Sequence, residues 1–409
     1  MPEAFVRTNF PAVSRVRIKD YKSIGLCDVS LKMVTLLVGR NGAGKSNFLD
    51  ALNFVADALR TTLDHAIRDR GGVDAVRRKS KGHPRNIAIE LELRPTEDQF
   101  ARYGFEIAAK SPNSFEVKQE RLDLYRPGVS DRIAGFVRRG LKFADATEKM
   151  PAVLPDRLAM VTASGFELFR PTYDLLTSMG FYNLNPESMK DVRAPDPDEV
   201  LRPDGANIAS VIGRLKDREP QTIERINEYL SRIVPDVTGV NRRSLGPKET
   251  LEFHQRVRGD ENPRSFYASS MSDGTLRALG ALVAVKQLDA PNGHVRLVGI
   301  EEPETALHPG AAGTLMDALK EGSARTQVLV TTHGVDLLDE ADISTDELLV
   351  VVSRNGTTEI APVDQASRTA IRDHLYRTGE LLRMDQLEPD EADLRRQRQT
   401  VLFETKRPA

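Results

Sequence analysis

The chain has 409 residues, 40% of them hydrophobic, which suits two or three domains with a sizeable core. Its 58 basic and 60 acidic residues leave a net charge of −2, which excludes a global field for nucleic acid and leaves room only for a local patch. The single cysteine, Cys27, excludes an internal disulfide and a cysteine-based zinc site, and no apolar run approaches the about 18 residues of a membrane helix, so a soluble, cytoplasmic protein without a membrane partner is expected.

In chain order, Val16-Arg-Ile18 and Cys27-Asp-Val29-Ser-Leu31 alternate apolar with polar residues and predict two half-exposed strands. Between them, Asp20-Tyr21-Lys22-Ser23 offers an aromatic ring and a cation that either touch a nucleotide or simply make a hairpin turn. Met33 to Val38 predicts a short buried strand that empties into Gly39-Arg40-Asn41-Gly42-Ala43-Gly44-Lys45-Ser46-Asn47, the phosphate-loop spacing. The glycines let successive N–H groups turn inward, and the following helix aims the positive end of its dipole at the same point. Lys45 would reach the outer phosphates of ATP or GTP, and the Ser46 hydroxyl would ligate Mg²⁺.

Phe48 to about Arg68 predicts one amphipathic helix, stopped by Gly71-Gly72. Beyond it, Arg77, Arg78, Lys79, Lys81 and Arg85 fall within nine residues, either a contact for the backbone of duplex DNA or a solvated loop. Short alternating runs from Asn86 to about Phe143 predict an antiparallel sheet, and residues 151 to 235 predict a helical insertion without sustained heptads. Next, Ser272-Asp273-Gly274-Thr275 opens a helix apolar on nearly every side, where Ser272 is either an N-cap or, with Gly274, part of a second phosphate site.

Val295 to Ile300 predicts a buried strand ending in Glu301-Glu302-Pro303-Glu304, and Gln327 to Thr332 predicts another ending in His333. Carboxylates at the C-terminal ends of parallel strands lie where such folds bind ligands; an acidic pair can hold Mg²⁺ and orient or deprotonate water, and an imidazole can hydrogen-bond a terminal phosphate. Two strands joined through Asn355-Gly356 predict a hairpin, and the charged end after it predicts a frayed tail; neither suggests chemistry.

Four motifs in this order, GRNGAGKS, SMSDGT, VGIEEPETALHP and VTTHG, together resemble the ABC-type ATPases of the RecF and SMC group, most closely the stand-alone bacterial ATPases related to the ATPase part of overcoming-lysogenization-defect proteins. The resemblance implies an α/β fold, an ABC-type P-loop NTPase head with a mixed sheet core and an antiparallel β lobe, carrying a mainly helical insertion. It divides the chain into an N-terminal half of the head (1–94), the β lobe (95–150), the insertion (151–235), a C-terminal half (236–363) and a tail (364–409). It further implies ATP and Mg²⁺ as cofactors, residues 39–47 as the Walker A loop, Glu302 and His333 as the catalytic glutamate and switch histidine, and Glu301 beside Mg²⁺. Ser272 and Gly274 would act on the nucleotide of a second copy, in a homodimer closed around ATP. Glu301 stands where aspartate is usual, Gly334 stands where serine is common and should loosen the turn, and the Q-loop residue stays open between Gln99 and Gln119. The biological roles implied are DNA repair, or holding and releasing an effector protein encoded nearby in anti-phage defence. The related enzymes that append a nuclease need an Asp-x-Asp pair, and none follows His333.

Overall fold

The computed structural model describes residues 10–80, 86–111, 114–129, 131–198, 200–287, 295–340 and 343–403. These fall into two units, Met1–Met179 with Thr345–Arg368 and Glu388–Ala409, and Gly180–Ser344 with Thr369–Leu387. The division between them passes inside residues 151–235. The first part of that stretch gives helices Ala159–Ala163 and Arg170–Thr177 to the first unit, and the second part gives a strand and three helices to the second.

The first unit is built on a mixed sheet whose strands follow one another in space as Lys142–Ala146, Ala134–Arg139, Ser114–Tyr125, Gln99–Ser111, Asn86–Thr96, Val13–Tyr21, Ile24–Ser30, Thr357–Pro362, Leu348–Arg354 and Val34–Val38. Pairing is antiparallel from the first of these through Ile24–Ser30, so the expected β lobe continues without a break into the N-terminal strands. Val34–Val38 is buried at every residue and pairs parallel with Leu348–Arg354, as a strand with no polar face must be covered on both sides. The C-terminal hairpin is therefore part of the sheet that carries the phosphate loop.

On the two N-terminal strands Lys19 and Ser30 are exposed, as a half-exposed strand requires, but Arg17 and Asp28 are buried. Arg17 donates to Glu90 and, at 2.7 Å, to Glu92, while Asp28 accepts from Arg15. The C-terminal segment seals this face. Its helix Glu391–Gln397 starts at the N-cap Asp390, Gln397 accepts from the Asp28 backbone N–H at 3.1 Å, Thr400 donates to Asp28 at 2.8 Å, and the Phe403 N–H donates to Glu90 at 2.8 Å. Through Phe403 the tail is thus docked rather than frayed, because buried charges left without it would lose their partners.

After the phosphate loop one helix runs over Lys45–Arg60 and stops there, short of the expected end. The Thr61 hydroxyl bonds back to the Asp57 carbonyl at 2.8 Å, and Thr62 accepts from the His65 N–H at 3.1 Å, capping a separate helix Leu63–Arg68. Side chains that cap the backbone thus interrupt an otherwise continuous apolar stripe.

In the second unit, strands Gln327–Thr332, Leu297–Glu301 and Gly180–Tyr182 lie parallel in that order, and a separate antiparallel sheet is formed by Val237–Leu245, Lys248–Gln255 and Arg264–Tyr267. The helix Asp273–Lys286 is buried along most of its length, as its apolar surround requires. Glu321, on helix Pro309–Gly322, ties it down: the carboxylate accepts from Lys286 at 2.6 Å, from Tyr229 at 2.8 Å and from Arg225 at 3.0 Å, Arg225 and Tyr229 lying on helix Pro220–Ile233. The Arg225 hydrogen bonds lead in holding its pKa down to about 2. Among the described residues no helix is long and apolar enough to cross a membrane.

Candidate functional site

The phosphate loop has the backbone its glycines allow. Gly42 and Gly44 sit at φ 77° and 104°, a region closed to most side chains. Gly39 is constrained by space instead, since a Cβ there would lie 2.1 Å from the Val351 carbonyl oxygen, and one on Gly44 would lie 2.0 Å from Thr358 Oγ1. The hairpin from which no chemistry was expected is thus the floor of the loop. A directional chain of hydrogen bonds ties it in: Asn47 donates to Ser23 at 2.6 Å, the Ser23 and Thr358 hydroxyls are 2.7 Å apart, and Thr358 donates to the Ala43 carbonyl at 2.8 Å. Ser23 and Thr358 had no sequence signal for this role, because only the strand order brings position 358 beneath position 43.

Gly44→Ala should therefore lower stability by about 2–4 kcal/mol, from the left-handed backbone and the overlap with Thr358 together. Gly42→Ala, whose Cβ would meet nothing within 4 Å, should lose only about 1 kcal/mol. Urea melts of the nucleotide-free protein check this; equal losses would show that the floor contact is not what demands Gly44.

Lys45 is 5% exposed and folds back over the loop, its Nζ donating to the carbonyls of Gly39 at 2.8 Å and Arg40 at 3.1 Å. No side chain caps the N-terminus of helix Lys45–Arg60, and no carboxylate lies in its first turn. A helix end so arranged suits an anion supplied from outside, and Arg40, Asn41, Gly42 and Ser46 are exposed around it. The loop fits a nucleotide phosphate.

The turn before it does something other than touch that nucleotide with its ring. Tyr21 is fully buried and donates to Asp50 on the phosphate-loop helix at 2.6 Å, where Lys22 at 2.5 Å and Arg70 at 2.8 Å also pair. Burial pushes the Asp50 carboxyl up, but Arg70 and the bonds from Lys22 and Tyr21 outweigh it and leave it below the ordinary range. Tyr21 and Lys22 anchor the helix from behind.

In the second unit, the parallel register sets Glu301 beside Thr331, so the acidic turn and the His333 turn leave the sheet side by side. Glu302 has φ 43° and is held there by its N–H bonding to the Thr331 carbonyl at 2.9 Å. Its Oε1 lies 3.0 Å from His333 Nδ1, out of line for a hydrogen bond, and both side chains are over 30% exposed. An exposed carboxylate against an imidazole can take a proton from water and leave the other ring nitrogen for a phosphate oxygen. Glu304 points inward: Thr332 Oγ1 donates to it, and the Gly334 N–H donates to Thr332 Oγ1 at 2.9 Å. Gly334 does not loosen this turn. A Cβ there would lie 2.8 Å from Glu304 Oε1, so the glycine is the space into which the carboxyl packs.

Ser272 is exposed and serves as N-cap, accepting from the Thr275 N–H at 3.2 Å. Gly274 is buried, and a Cβ on it would lie 2.1 Å from the Ala306 carbonyl oxygen, so close packing inside the chain accounts for its lack of a side chain. The loop after Glu302 is thus clasped by Gly274 at Ala306 and by Thr332 at Glu304. For metal, no group of three or more His, Cys, Asp or Glu is poised to hold an ion among the described residues. Mg²⁺ commonly binds through one or two side chains and substrate phosphates, and Ser46 and Glu301 offer oxygen donors of that kind.

Two of the three described cations of the basic cluster are engaged within the chain. Arg77 pairs with Asp74 at 2.8 Å, Arg78 donates to Thr357 at 2.6 Å with Asp20 at 3.7 Å, and Lys79 is exposed, while Lys81 and Arg85 lie outside the described residues. Of the two candidate Q-loop residues, Gln99 donates to the Leu168 carbonyl at 3.4 Å, and Gln119 lies on the neighbouring strand Ser114–Tyr125.

Residues 34–339 match the family described as AAA domain, putative AbiEii toxin, Type IV TA system. Among solved structures, an SmcHead bound to the C-winged helix domain of ScpA is 15% identical with a TM-score of 0.54, over 87% of this chain and 99% of that one. An Smc head domain with an extended coiled coil, bound to the C-terminal domain of ScpA derived from Pyrococcus furiosus, is 16% identical with a TM-score of 0.50, over 89% and 99%. At such identities the likeness shows the fold alone, a mixed α/β P-loop head.

Proposed function

Because the chain belongs to the family described as AAA domain, putative AbiEii toxin, Type IV TA system, we propose that it is a Mg²⁺-dependent ATPase whose heads pair on ATP and whose turnover switches a partner. The observation that carries this reading is the phosphate loop, with its uncapped, acid-free helix end. Residues 39–47 hold the phosphates by backbone N–H groups and by Lys45 turning from the loop carbonyls to the outer phosphates. Ser46 and Glu301 are the residues that would hold Mg²⁺, which would neutralise charge that builds on the leaving oxygens. Glu302 takes the proton of the attacking water, and His333 bonds the terminal phosphate.

In the sandwich reading, Ser272 and the backbone at Gly274 meet the nucleotide of a second copy, which distinguishes ATP from ADP by the terminal phosphate. Ser272→Arg then leaves ATP binding by each chain intact and lowers hydrolysis at least about a hundredfold, because a bulky cation sits where the other copy's phosphate must come. Nucleotide titration beside a phosphate-release assay reads both. Full turnover in this variant would place the whole site within one chain and end the sandwich reading.

For the partner, an effector protein is the better supported choice over duplex DNA in repair. Arg77 and Arg78, two of the five cations that the DNA reading needs, are engaged within the chain. Steeply salt-dependent binding to duplex DNA in the presence of ATP would reverse that order.

A further inference from the structure

We infer that Glu304 is a positioning residue, a buried carboxyl that locks the Thr332-His333-Gly334 turn and so fixes His333 against Glu302. This rests on the ATPase reading for its kinetic consequence and on the geometry alone for its structural one. Three observations converge on it. Thr332 Oγ1 is bonded on both sides, donating to Glu304 and accepting from the Gly334 N–H, so the two residues flanking His333 are tied to one carboxyl. Gly334 leaves room for that carboxyl and for nothing else, an added Cβ coming within 2.9 Å of both Oε1 and Cγ. The remaining oxygen, Oε2, is buried without a hydrogen-bond partner, which is tolerable for a neutral carboxyl and very costly for a charged one. Burial, ahead of every hydrogen bond, pushes this carboxyl above its ordinary range, in keeping with a neutral group.

The carboxyl does not reach the reacting atoms in this scheme. His333 follows a strand whose last residue, Thr332, can rotate its hydroxyl away unless Glu304 engages it. Without that lock the imidazole loses its fixed approach to Glu302 Oε1, now 3.0 Å away. Proton transfer and phosphate contact both depend on such geometry, and a displacement of about 1 Å can cost on the order of a hundredfold.

The test uses the full chain and the variants Glu304→Ala, Glu304→Gln, Gly334→Ser and the double variant Glu304→Ala/Gly334→Ser. Glu304→Ala should lower kcat for ATP roughly 10–100-fold with KM changed less than about twofold, and Glu304→Gln, which keeps the shape and the neutral acceptor, should restore it. Gly334→Ser should lower kcat alone, yet add no further loss in the Glu304→Ala background, where the space is vacant. Independently of hydrolysis, the His333 ring signal, assigned among the seven histidines by its absence in His333→Gln, should shift in nucleotide-free Glu304→Ala and stay in place in Glu304→Gln. An unmoved His333 signal in a folded Glu304→Ala protein overturns the inference on its own, as does a Glu304→Gln variant as impaired as the alanine. A wild-type chain that binds but never hydrolyses ATP overturns the ATPase reading instead and leaves the ring-signal result to decide the role of Glu304.

Discussion

Lys45→Ala abolishes ATP binding and leaves the fold standing. In the free protein the Lys45 ammonium is held by the carbonyls of Gly39 and Arg40, at 2.8 and 3.1 Å, so it is already poised over the loop and needs only to exchange two neutral acceptors for charged phosphate oxygens. Hydrogen bonds of that charged kind contribute about 1.5–3 kcal/mol each, so losing two of them weakens binding at least about a hundredfold. The loop itself does not depend on the lysine. Its shape is set by Gly42, Gly44 and the floor of Val351 and Thr358. Titration with a fluorescent ATP analogue beside a thermal melt separates the two effects. Wild-type affinity in Lys45→Ala would make the loop a structural turn, and a collapsed melt would show that the lysine holds the strand–helix junction.

Glu302→Gln stops the chemical step while ATP and Mg²⁺ still bind, and ATP-held dimers accumulate. The amide has the same shape at φ 43° and keeps the bond from the residue's N–H to the Thr331 carbonyl, so nothing in the turn is disturbed. What it loses is the ability to take a proton, and removal of a general base lowers turnover by about 10²–10⁴-fold. If the two copies close around ATP as proposed, the retained terminal phosphate keeps the contacts from Ser272 in place, and light scattering should show an ATP-dependent doubling of mass that wild type shows only in passing. Glu301→Gln acts on the Mg²⁺ shell instead, weakening the Mg²⁺ dependence of turnover without trapping dimers. If Glu301→Gln is the variant that traps, the roles of the two acids are exchanged. Normal hydrolysis by both would move the base elsewhere.

How much of this was legible before the structure follows from which interactions are local. The buried strand Val34–Val38, the loop after it and the start of the helix at Lys45 were readable because strand hydrophobicity, glycine spacing and helix onset are decided within about a dozen residues. The same holds for the strands that end at Glu301 and Thr332, since each is an apolar run that stops in polar residues. The helix break at Thr61-Thr62 was local too, but weakly marked, because hydroxyl caps compete with a strong apolar period.

Residues that meet across long separations were not legible. Whether Arg17 and Asp28 face water, whether the end of the chain frays, and why Gly39 tolerates no side chain were all decided by strand order, which sets Leu348–Arg354 beside Val34–Val38 and Thr357–Pro362 beside Ile24–Ser30, and brings Gln397, Thr400 and Phe403 over the polar face. Gly274 and Gly334 show the same division. The sequence by itself determined that a helix begins after Ser272 and that a turn follows His333, because caps and turns are written in neighbouring residues. Only the tertiary structure decided that both positions must be glycine, since the atoms that exclude a Cβ there belong to Ala306 and Glu304, and close packing acts between surfaces that the chain brings together only when it folds.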